Sequence, residues 1–250
     1  MRSPMREATG GNEQESVIQI IVPIYNEGEN VKILYQRLRD DNVAFDQLTF
    51  VYDLDSDTSL PYIEAMKRQD ARVIPLKNTL GRGVVNALRF SFSQVSAGPV
   101  IVVMGDNSDK LSLIPEMIEC WKSGATLVSA SRYMSGGKQH GGGVVKSTLS
   151  RIAGKSLALL GLPTADPTNN FKLYDGTWLR SQQLESRGGF EIALELTYKA
   201  FREARKIIEL PTVWEDRTIG KSNFKLFRWL PHYLRWYFRT IWALLARVVL

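Results

Sequence analysis

Short apolar runs and helical patterns alternate along the first half of the chain. The apolar runs cover residues 17–24, 48–52, 73–76, 100–104 and 126–130. After the first run, Val31, Leu34 and Leu38 recur at the spacing of one helix face. Because the runs are unbroken, they are typical of parallel strands that are covered on both faces. The pattern predicts an α/β fold with a mostly parallel sheet flanked by helices.

The pattern changes in the second half, where glycine-rich and mixed segments separate the apolar ones. The stretch SGGKQHGGG (135–143) predicts a flexible loop. A helix is predicted over residues 144–160, and its apolar side holds Leu149, Ile152, Ala153, Leu157 and Leu160. Later segments predict a strand at 171–174, a helix at 190–201 and a strand at 207–210.

The domain organisation follows from the absence of a convincing linker. Residues 1–16 are polar and lack an apolar core, so we expect a disordered tail rather than a signal peptide. Residues 17–226 are predicted to form one domain, and residues 227–250 a basic amphipathic helical segment. The only cysteine, Cys120, cannot form an intrachain disulfide, which fits a cytoplasmic protein.

The net charge of +6 is concentrated near the C-terminal end. Residues 217–250 contain five Arg and two Lys but no Asp or Glu. They are interleaved with aromatic residues that include Trp229, Tyr233, Trp236, Tyr237, Phe238 and Trp242. On a helix, Arg228, Arg235 and Arg239 would share one stripe. This composition favours a helix at an anionic membrane surface. The alternatives are a helix packed on the domain and, less favoured, a nucleic-acid surface. The sequence contains no window of about 18 uncharged apolar residues, so we expect no segment that spans a bilayer alone.

Two glycine-rich stretches resemble phosphate-binding motifs but depart from them. The segment GGGVVKST (141–148) has Val145 where a Walker loop requires Gly before its Lys. The segment GRGVVN (81–86) ends in Asn86, where the dinucleotide fingerprint has Gly or Ala, and it follows the third strand. We therefore favour neither a P-loop nor a Rossmann dehydrogenase.

Carboxylates follow several of the predicted strands. Glu27 follows the first strand, Asp53 ends the second, and Asp106 and Asp109 follow the fourth. In a parallel sheet these positions lie at one edge, where four acids repel one another unless a cation lies between them. A hard divalent cation shared with a diphosphate would satisfy this demand. For each acid separately, a solvated turn remains the alternative.

The same segments resemble the family 2 glycosyltransferases of the GT-A fold. The motifs of the first half are VPIYNE (22–27), YDLDSDT (52–58), LGRGVVNAL (80–88) and VVMGDNSD (102–109). Those of the second half, which are similar to the dolichol-phosphate mannosyltransferase branch, are SRYMSGG (131–137), DPTNNFKLY (166–174), GGFEIALEL (188–196) and WEDRTIGKSNFK (214–225). The resemblance covers residues 17 to about 230.

On the donor side, the resemblance implies a site for a sugar nucleotide and a divalent cation, Mg²⁺ or Mn²⁺. The nucleoside would contact Pro23, Tyr25, Glu27 and Asp53. Asp106 would bind the metal, and Gly105 would let the backbone approach. Met104 stands where the family often has its first Asp, so Asp109 is a second candidate ligand.

On the acceptor side, the resemblance implies cationic clamps. Arg132 and Arg217 match arginines that hold the donor diphosphate and the acceptor phosphate, so both are candidate catalytic residues with Asp106 and Asp109. Lys146 and Ser150 match positions that receive the acceptor phosphate. Where the family often has Lys after the Ser of its GxS segment, the chain has Asn223, and Lys221 or Lys225 could substitute.

These expectations define three hypotheses for the function. The first is an inverting, metal-dependent enzyme that moves a hexose, with mannose from GDP-mannose as the best guess, onto a polyprenyl phosphate. It would act peripherally at the cytoplasmic face of a membrane, without nucleic acid. The second uses a UDP-sugar or a hydroxyl acceptor, with Asp109 or Glu191 as general base. The third is a non-catalytic module that binds sugar nucleotides or membranes. Glu195 is expected to serve the helix structure.

Overall fold

The structure is a computed structural model that describes residues 16–216 and 226–248. Within the last helix, side chains are described for residues 229–246. The predictions for the N-terminal tail, apart from Ser16, and those for Arg217, Lys221 and Lys225 lie outside the described residues. The same holds for the side chain of Arg228.

Nine strands lie within the described ranges, and seven of them form the central sheet. They are β1 (Gln19–Pro23), β2 (Gln47–Tyr52), β3 (Val73–Lys77), β4 (Pro99–Val102), β5 (Leu127–Ser131), β6 (Lys138–His140), β7 (Lys172–Asp175), β8 (Ile207–Pro211) and β9 (Val213–Glu215). The sheet order is β3-β2-β1-β4-β7-β5-β8, and β7 is antiparallel to both of its neighbours. The other pairs are parallel, which confirms the prediction of a mostly parallel sheet.

Helices cover both faces of this sheet. They are α1 (Asn30–Asp40), α2 (Leu60–Gln69), α3 (Val84–Gln94), α4 (Ile114–Lys122), α5 (Val144–Leu159), α6 (Gly176–Ser181), α7 (Ile192–Arg202) and α8 (Leu226–Val248). Within β1, Ile20 and Val22 pack into one apolar core and Ile21 packs into the other. Successive strand residues point to opposite faces, so a strand with a core on each side must be apolar throughout. This explains the unbroken apolar runs.

Residues 138–140, predicted as part of a flexible loop, form a strand instead. β6 pairs in parallel with β9, so the loop prediction is wrong there. The Lys138 amide donates to the Thr212 carbonyl, and the Asp216 amide donates to the His140 carbonyl. The partner strand is about 70 residues away in sequence, and a local pattern cannot reveal such a pairing.

The C-terminal helix α8 has one face on the domain and one in solvent. Trp236 and Leu244 pack with Leu157 of α5 and Leu194 of α7 in a third apolar core. The opposite face exposes Leu234, Phe238, Trp242 and Leu245. Within the described part of the chain, no helix is long and apolar enough to cross a membrane.

The predicted basic stripe of α8 faces an acidic side chain of the domain. Arg235 and Arg239 donate to Glu185 Oε2 at 2.7 and 2.9 Å. These two guanidinium groups also lie 5.5 and 4.9 Å from the centre of the Trp236 ring. They therefore help to fix the helix to the domain, rather than pointing as a uniform stripe towards a distant surface.

The docking of α8 gives a stability prediction. Replacing Trp236 (1% exposed) by Ala should lower the free energy of unfolding by about 3–5 kcal/mol, since it empties the centre of the third core. The Phe238→Ala variant is the matched control, because Phe238 is 61% exposed on the same helix. Urea denaturation followed by tryptophan fluorescence measures both. Equal destabilisation by the two variants would contradict the docking.

Candidate functional site

A cavity of about 790 Å³ begins at the edge where the parallel strands end and continues between α5 and α8. Its first end is lined by the four residues expected at the nucleoside, Pro23, Tyr25, Glu27 and Asp53. Asp106, Arg132, Lys146 and Ser150 also line it. Residues far apart in sequence are thus brought to one continuous surface.

The Asp53 carboxylate shapes the loop that closes the nucleoside end. Its two oxygens accept hydrogen bonds from Asn78 Nδ2 and from the Gly83 amide, both at 2.7 Å. Arg82 is in the same loop, and its Nη2 atom lies 3.4 Å from the Tyr25 hydroxyl. A carboxylate has about four acceptor positions, so Asp53 can still accept from a base N–H.

The turn after β1 is held by the loop after β2. Asp57 Oδ2 accepts from the Asn26 amide at 2.9 Å, and Asn26 adopts a left-handed conformation with φ of 55°. Ser59 Oγ accepts from the amides of Glu27 and Gly28 at 3.0 and 3.1 Å. Part of the acidic segment DLDSD therefore serves local structure and positions Glu27 at the cavity.

The two aspartates after β4 differ in environment. Asp106 is half-buried and lines the cavity, and its Oδ1 accepts from Ser108 Oγ at 2.6 Å. Asp109 is 3% exposed and is not among the lining residues. Its Oδ2 accepts from the Met104 amide at 3.0 Å. Burial, with a contribution from the charge of Asp106, raises the pKa of Asp109 to about 7. Asp109 therefore stabilises the loop after β4 from its buried side, through the hydrogen bond with the Met104 amide.

Gly105 lies where the loop after β4 meets the turn after β1. A Cβ atom at this position would be 3.2 Å from the Glu27 Cγ and 3.2 Å from the Ile24 Cγ2. Glycine therefore allows this loop to pack directly against the segment that presents Glu27. The approach of this backbone to a bound ligand stays a prediction.

The donor set fits a metal that shares its coordination with a ligand. Within residues 16–216 and 226–248, no group of three or more His, Cys, Asp or Glu side chains is arranged to hold an ion. Mg²⁺ typically uses one or two carboxylates and completes its shell with water and phosphate oxygens. Asp106, which reaches the cavity surface, matches this requirement better than the buried Asp109.

Three of the expected acceptor residues lie together along the next part of the cavity. The Arg132 guanidinium makes a two-point contact with Asp166, with Nε to Oδ2 at 2.7 Å and Nη2 to Oδ1 at 2.8 Å. Ser150 Oγ lies 2.6 Å from Thr168 Oγ1. Lys146 is exposed on the first turn of α5. The orientation of the Arg132 guanidinium group is therefore fixed by a buried carboxylate.

Sequence reasoning assigned no role to Asp166 or Lys172, although both lie within the motif DPTNNFKLY. Both side chains are fully buried. Lys172 Nζ donates to Ser129 Oγ at 2.9 Å and to the Asp166 carbonyl at 3.0 Å. Burial lowers the pKa of Lys172 to about 7, while Asp166 opposes that shift. The signal that the sequence offered for this buried polar network was Lys172, a lysine within a segment predicted to be a buried strand.

Glu191 and Glu195 are fully buried and bind the loop before α7. The Glu191 carboxylate accepts from the amides of Arg187, Gly188 and Gly189 at 3.0, 2.6 and 2.5 Å. Glu195 accepts from the amides of Glu185 and Ser186 at 2.7 and 2.8 Å. Glu191 therefore acts as a loop-binding group, which weakens the hypothesis that it is a general base.

The far end of the cavity is apolar and lies between α5 and α8. From α5 it is lined by Leu149, Ile152 and Leu157, and from α8 by Leu230, Tyr233, Leu234 and Tyr237. Leu149 and Ile152 are 43% and 62% exposed. Of the five residues predicted on the apolar side of α5, only Leu157 is buried in the core. The rest of that side faces solvent or lines this apolar end of the cavity, which we call the groove.

Comparison with known proteins places the sequence in a family. The sequence profile described as "Glycosyl transferase family 2" matches residues 19–178. A dolichol-phosphate mannosyltransferase from Pyrococcus furiosus is 26% identical over 87% of the chain and 63% of that protein. An undecaprenyl-phosphate mannosyltransferase from Micrococcus luteus is 29% identical over 81% of the chain and 85% of that protein.

Other relatives are matched over a smaller share of their length. A bactoprenol glucosyl transferase from Shigella phage SfV is 30% identical over 46% of the chain and 38% of that protein. Among solved structures, glucosyl-3-phosphoglycerate synthase from Mycobacterium tuberculosis, bound to Mn²⁺, UDP-glucose and phosphoglyceric acid, superposes with a TM-score of 0.65. It is 14% identical and covers 92% of the chain and 80% of that structure, so it supports the fold alone.

The burial of Asp109 gives a pH prediction. Its folded-state pKa of about 7 lies above the ordinary value of 3.8, so the folded protein retains a proton that the unfolded chain has lost. Stability should therefore fall as the pH rises from about 4 to about 7, by roughly 4 kcal/mol from this group. The Asp109→Asn variant keeps an acceptor for Met104 but cannot ionise.

Urea denaturation in the presence of EDTA, at pH 5 and pH 8, measures this effect. At each pH we compare the free energy of unfolding of Asp109→Asn with that of the unmodified protein. We expect this difference to favour the variant more at pH 8 than at pH 5. A difference between the two proteins that is the same at both pH values would show that Asp109 is ionised at both and would contradict the prediction.

Proposed function

The chain belongs to glycosyl transferase family 2, and on that premise we propose that it is an inverting, metal-dependent enzyme that moves a hexose from a nucleotide sugar to a polyprenyl phosphate. The observation that most supports this proposal is the two-ended cavity. Carboxylates line one end, an arginine and a lysine lie along its middle, and apolar side chains line the other. A sugar nucleotide fits the first end, and a lipid phosphate fits the rest.

At the donor end, the protein provides a pocket for the nucleoside and a carboxylate near the diphosphate. Tyr25 and Asp53 line the pocket beside the loop of residues 78–83. Asp106 would hold Mg²⁺ or Mn²⁺ together with the diphosphate oxygens. When bound, this cation would offset the charge that develops on the departing diphosphate.

At the acceptor end, a lipid monophosphate requires orientation rather than deprotonation, because it is already an anion. Arg132 and Lys146 line the segment where this phosphate would lie. A hydroxyl acceptor would instead need a general base within hydrogen-bond reach. Glu191 is fully buried and accepts from three backbone amides, and Asp109 is buried and does not line the cavity, so neither side chain is well placed to act as this base and a phosphate acceptor is favoured.

The transfer would be a single displacement. An oxygen of the acceptor phosphate attacks the anomeric carbon from the face opposite the diphosphate, and the bond from that carbon to the diphosphate oxygen breaks. An α-linked donor then gives a β-linked lipid-phosphate sugar. The chain contributes by aligning the two anions and by limiting their repulsion with Arg132 and Lys146.

GDP-mannose is the proposed donor. Mannose is proposed as the transferred sugar because the two relatives matched over most of the chain are named mannosyltransferases. A UDP-sugar is the alternative, since the phage relative is named a glucosyl transferase and the solved structure contains UDP-glucose. The chain matches 63% of the length of the Pyrococcus protein and 38% of that of the phage protein, so the whole activity of either protein is a proposal for this chain.

The donor and its metal are tested by thermal unfolding with GDP or UDP, each with Mn²⁺ or with EDTA. One nucleotide at about 100 times its Kd should add roughly 2.7 kcal/mol of stability, and EDTA should remove most of it. The Asp106→Asn variant should lose the Mn²⁺-dependent part. Asp55→Asn is the matched control, because Asp55 is an exposed acid near the same sheet edge that pairs with Lys77.

The same proteins are then assayed with undecaprenyl phosphate and with radiolabelled GDP-mannose or UDP-glucose. Labelled lipid phosphate should form with the donor whose nucleotide stabilises the protein, and Asp106→Asn should abolish it. Unchanged turnover in Asp106→Asn would contradict the metal assignment. Nucleotide binding without transfer would support the non-catalytic module instead.

We further propose that the outer face of α8 contacts a membrane from its cytoplasmic side. Phe238 and Trp242 are 61% and 77% exposed, and Leu234 and Leu245 lie on the same face. Because Arg235 and Arg239 are paired with Glu185, apolar insertion rather than the arginine stripe is the expected source of affinity. Leu234 also lines the cavity, so this contact would bring the groove to a lipid acceptor.

Binding to vesicles of phosphatidylglycerol and phosphatidylcholine tests this contact. The double variant Phe238→Ser and Trp242→Ser should bind at least roughly tenfold more weakly, because less apolar area is inserted. Tyr62→Ser is the control, since Tyr62 is an exposed aromatic residue on α2. Equal binding of all three proteins in a sedimentation assay would exclude the outer face of α8 as the membrane contact.

A further inference from the structure

A fully buried carboxylate stands behind the acceptor part of the cavity. Asp166 accepts three hydrogen bonds from Arg132: from its amide at 3.0 Å, from Nε at 2.7 Å and from Nη2 at 2.8 Å. The Arg132 side chain is 11% exposed, and that of Asp166 is not exposed at all. The edge of the guanidinium group formed by Nε and Nη2 therefore faces Asp166, and Nη1 lies on the opposite side of the group.

The same carboxylate is linked to the opposite side of the acceptor region. Thr168 Oγ1 donates to Asp166 Oδ1 at 3.3 Å and lies 2.6 Å from Ser150 Oγ on α5. Thr168 and Ser150 both line the cavity. One buried group thus contacts Arg132 directly and reaches Ser150 through a single hydroxyl.

The segment that bears Asp166 is itself held by buried hydrogen bonds. Lys172 Nζ donates to the Asp166 carbonyl, and the Thr164 hydroxyl lies 3.1 Å from the Asp166 amide. Glu209 accepts from Thr164 Oγ1 at 2.8 Å and from the Ala165 amide at 2.5 Å. A Cβ atom on Gly154 of α5 would lie 2.0 Å from the Ala165 carbonyl, so helix and segment are in direct backbone contact.

We propose that Asp166 is a positioning residue for the acceptor phosphate, acting on Arg132 directly and on Ser150 through Thr168. The inference rests on the proposed function in one respect, namely that the anion held here is the acceptor phosphate. A guanidinium presents its N–H groups in a rigid plane, so fixing one edge fixes the direction of the others. Without Asp166, Arg132 keeps its charge but loses its orientation.

The size of the effect follows from the geometry of transfer. The acceptor oxygen must lie in line behind the anomeric carbon, and a displacement of about 1 Å can lower the rate about a hundredfold. Groups that only orient a metal ligand typically change affinity or activity by about tenfold to a hundredfold when they are replaced, and we expect a similar range for a group that orients Arg132. Asp166→Asn keeps the volume and one acceptor oxygen but cannot accept at both guanidinium nitrogens with full charge.

The test is a double-mutant cycle with farnesyl phosphate as the acceptor probe. The proteins are the unmodified chain, Asp166→Asn, Arg132→Gln and the double variant, and isothermal titration measures the Kd of farnesyl phosphate and of the donor nucleotide. We expect Asp166→Asn to weaken farnesyl phosphate about tenfold to a hundredfold and to leave the nucleotide Kd within about twofold. In the Arg132→Gln background, Asp166→Asn should weaken the binding of farnesyl phosphate much less, because the two residues act as a unit.

Matched variants separate positioning from general damage to the segment. Glu209→Gln removes a carboxylate charge that supports the same segment but does not touch Arg132, so farnesyl phosphate binding should stay within about twofold of the unmodified protein. Thr168→Val should weaken farnesyl phosphate by a few-fold only, since it interrupts the link to Ser150. If Asp166→Asn does not purify as folded protein, Asp166→Glu keeps the charge but moves the carboxylate by one methylene, and the same loss is expected.

The outcomes distinguish this inference from the proposed function. If the unmodified protein binds the donor nucleotide but not farnesyl phosphate, the proposed acceptor is wrong and the inference falls with it. If the unmodified protein binds farnesyl phosphate and Asp166→Asn binds it equally well, the positioning role is overturned while the proposed function stands. A loss of nucleotide affinity instead would assign Arg132 to the donor diphosphate, and equal losses in both Arg132 backgrounds would assign Asp166 a purely structural role.

Discussion

The parallel pairing of β1 with β2 and β4 is the constraint on which the rest of the site depends. Pro23 at the end of β1 is in register with Val51, and Ile21 is in register with Val102 at the end of β4. The loops that follow all three strands must therefore leave the sheet at one edge. Glu27, Asp53 and Asp106 meet there because of this register, although about 80 residues separate the first from the last.

The antiparallel strand β7 brings a second group of residues to the same edge. Because β7 runs against β4, its first residue, Lys172, is in register with the last residue of β4. The segment that enters β7, which includes Asp166, thus lies where the other strands end. Arg132, which follows β5, meets Asp166 there and becomes part of a buried ion pair. Breaking such a pair by removing one partner typically costs about 3–5 kcal/mol, so the geometry is strongly held.

The sequence predicted those features that depend on local burial. The seven strands of the main sheet and the helices over residues 30–40, 144–159 and 192–202 lie close to the predicted positions. An apolar run shows that a strand is buried on both faces, but it does not show its direction, so the reversal of β7 was not foreseen. The pairing of β6 with β9, the contact of Arg132 with Asp166 and the loop-binding role of Glu191 also depend on long-range contacts or on side-chain orientation.

The helix α8 carries apolar residues on two of its sides. Its inner stripe includes Trp236, Thr240 and Leu244, and its outer stripe includes Phe238 and Trp242. A helix that is apolar on two sides is normally buried on both. Here the outer stripe continues through Leu234 into the cavity, where α5 adds the half-exposed Leu149 and Ile152. The apolar surface is therefore continuous with the groove, and a ligand with an apolar chain and a phosphate head would bury both surfaces at once.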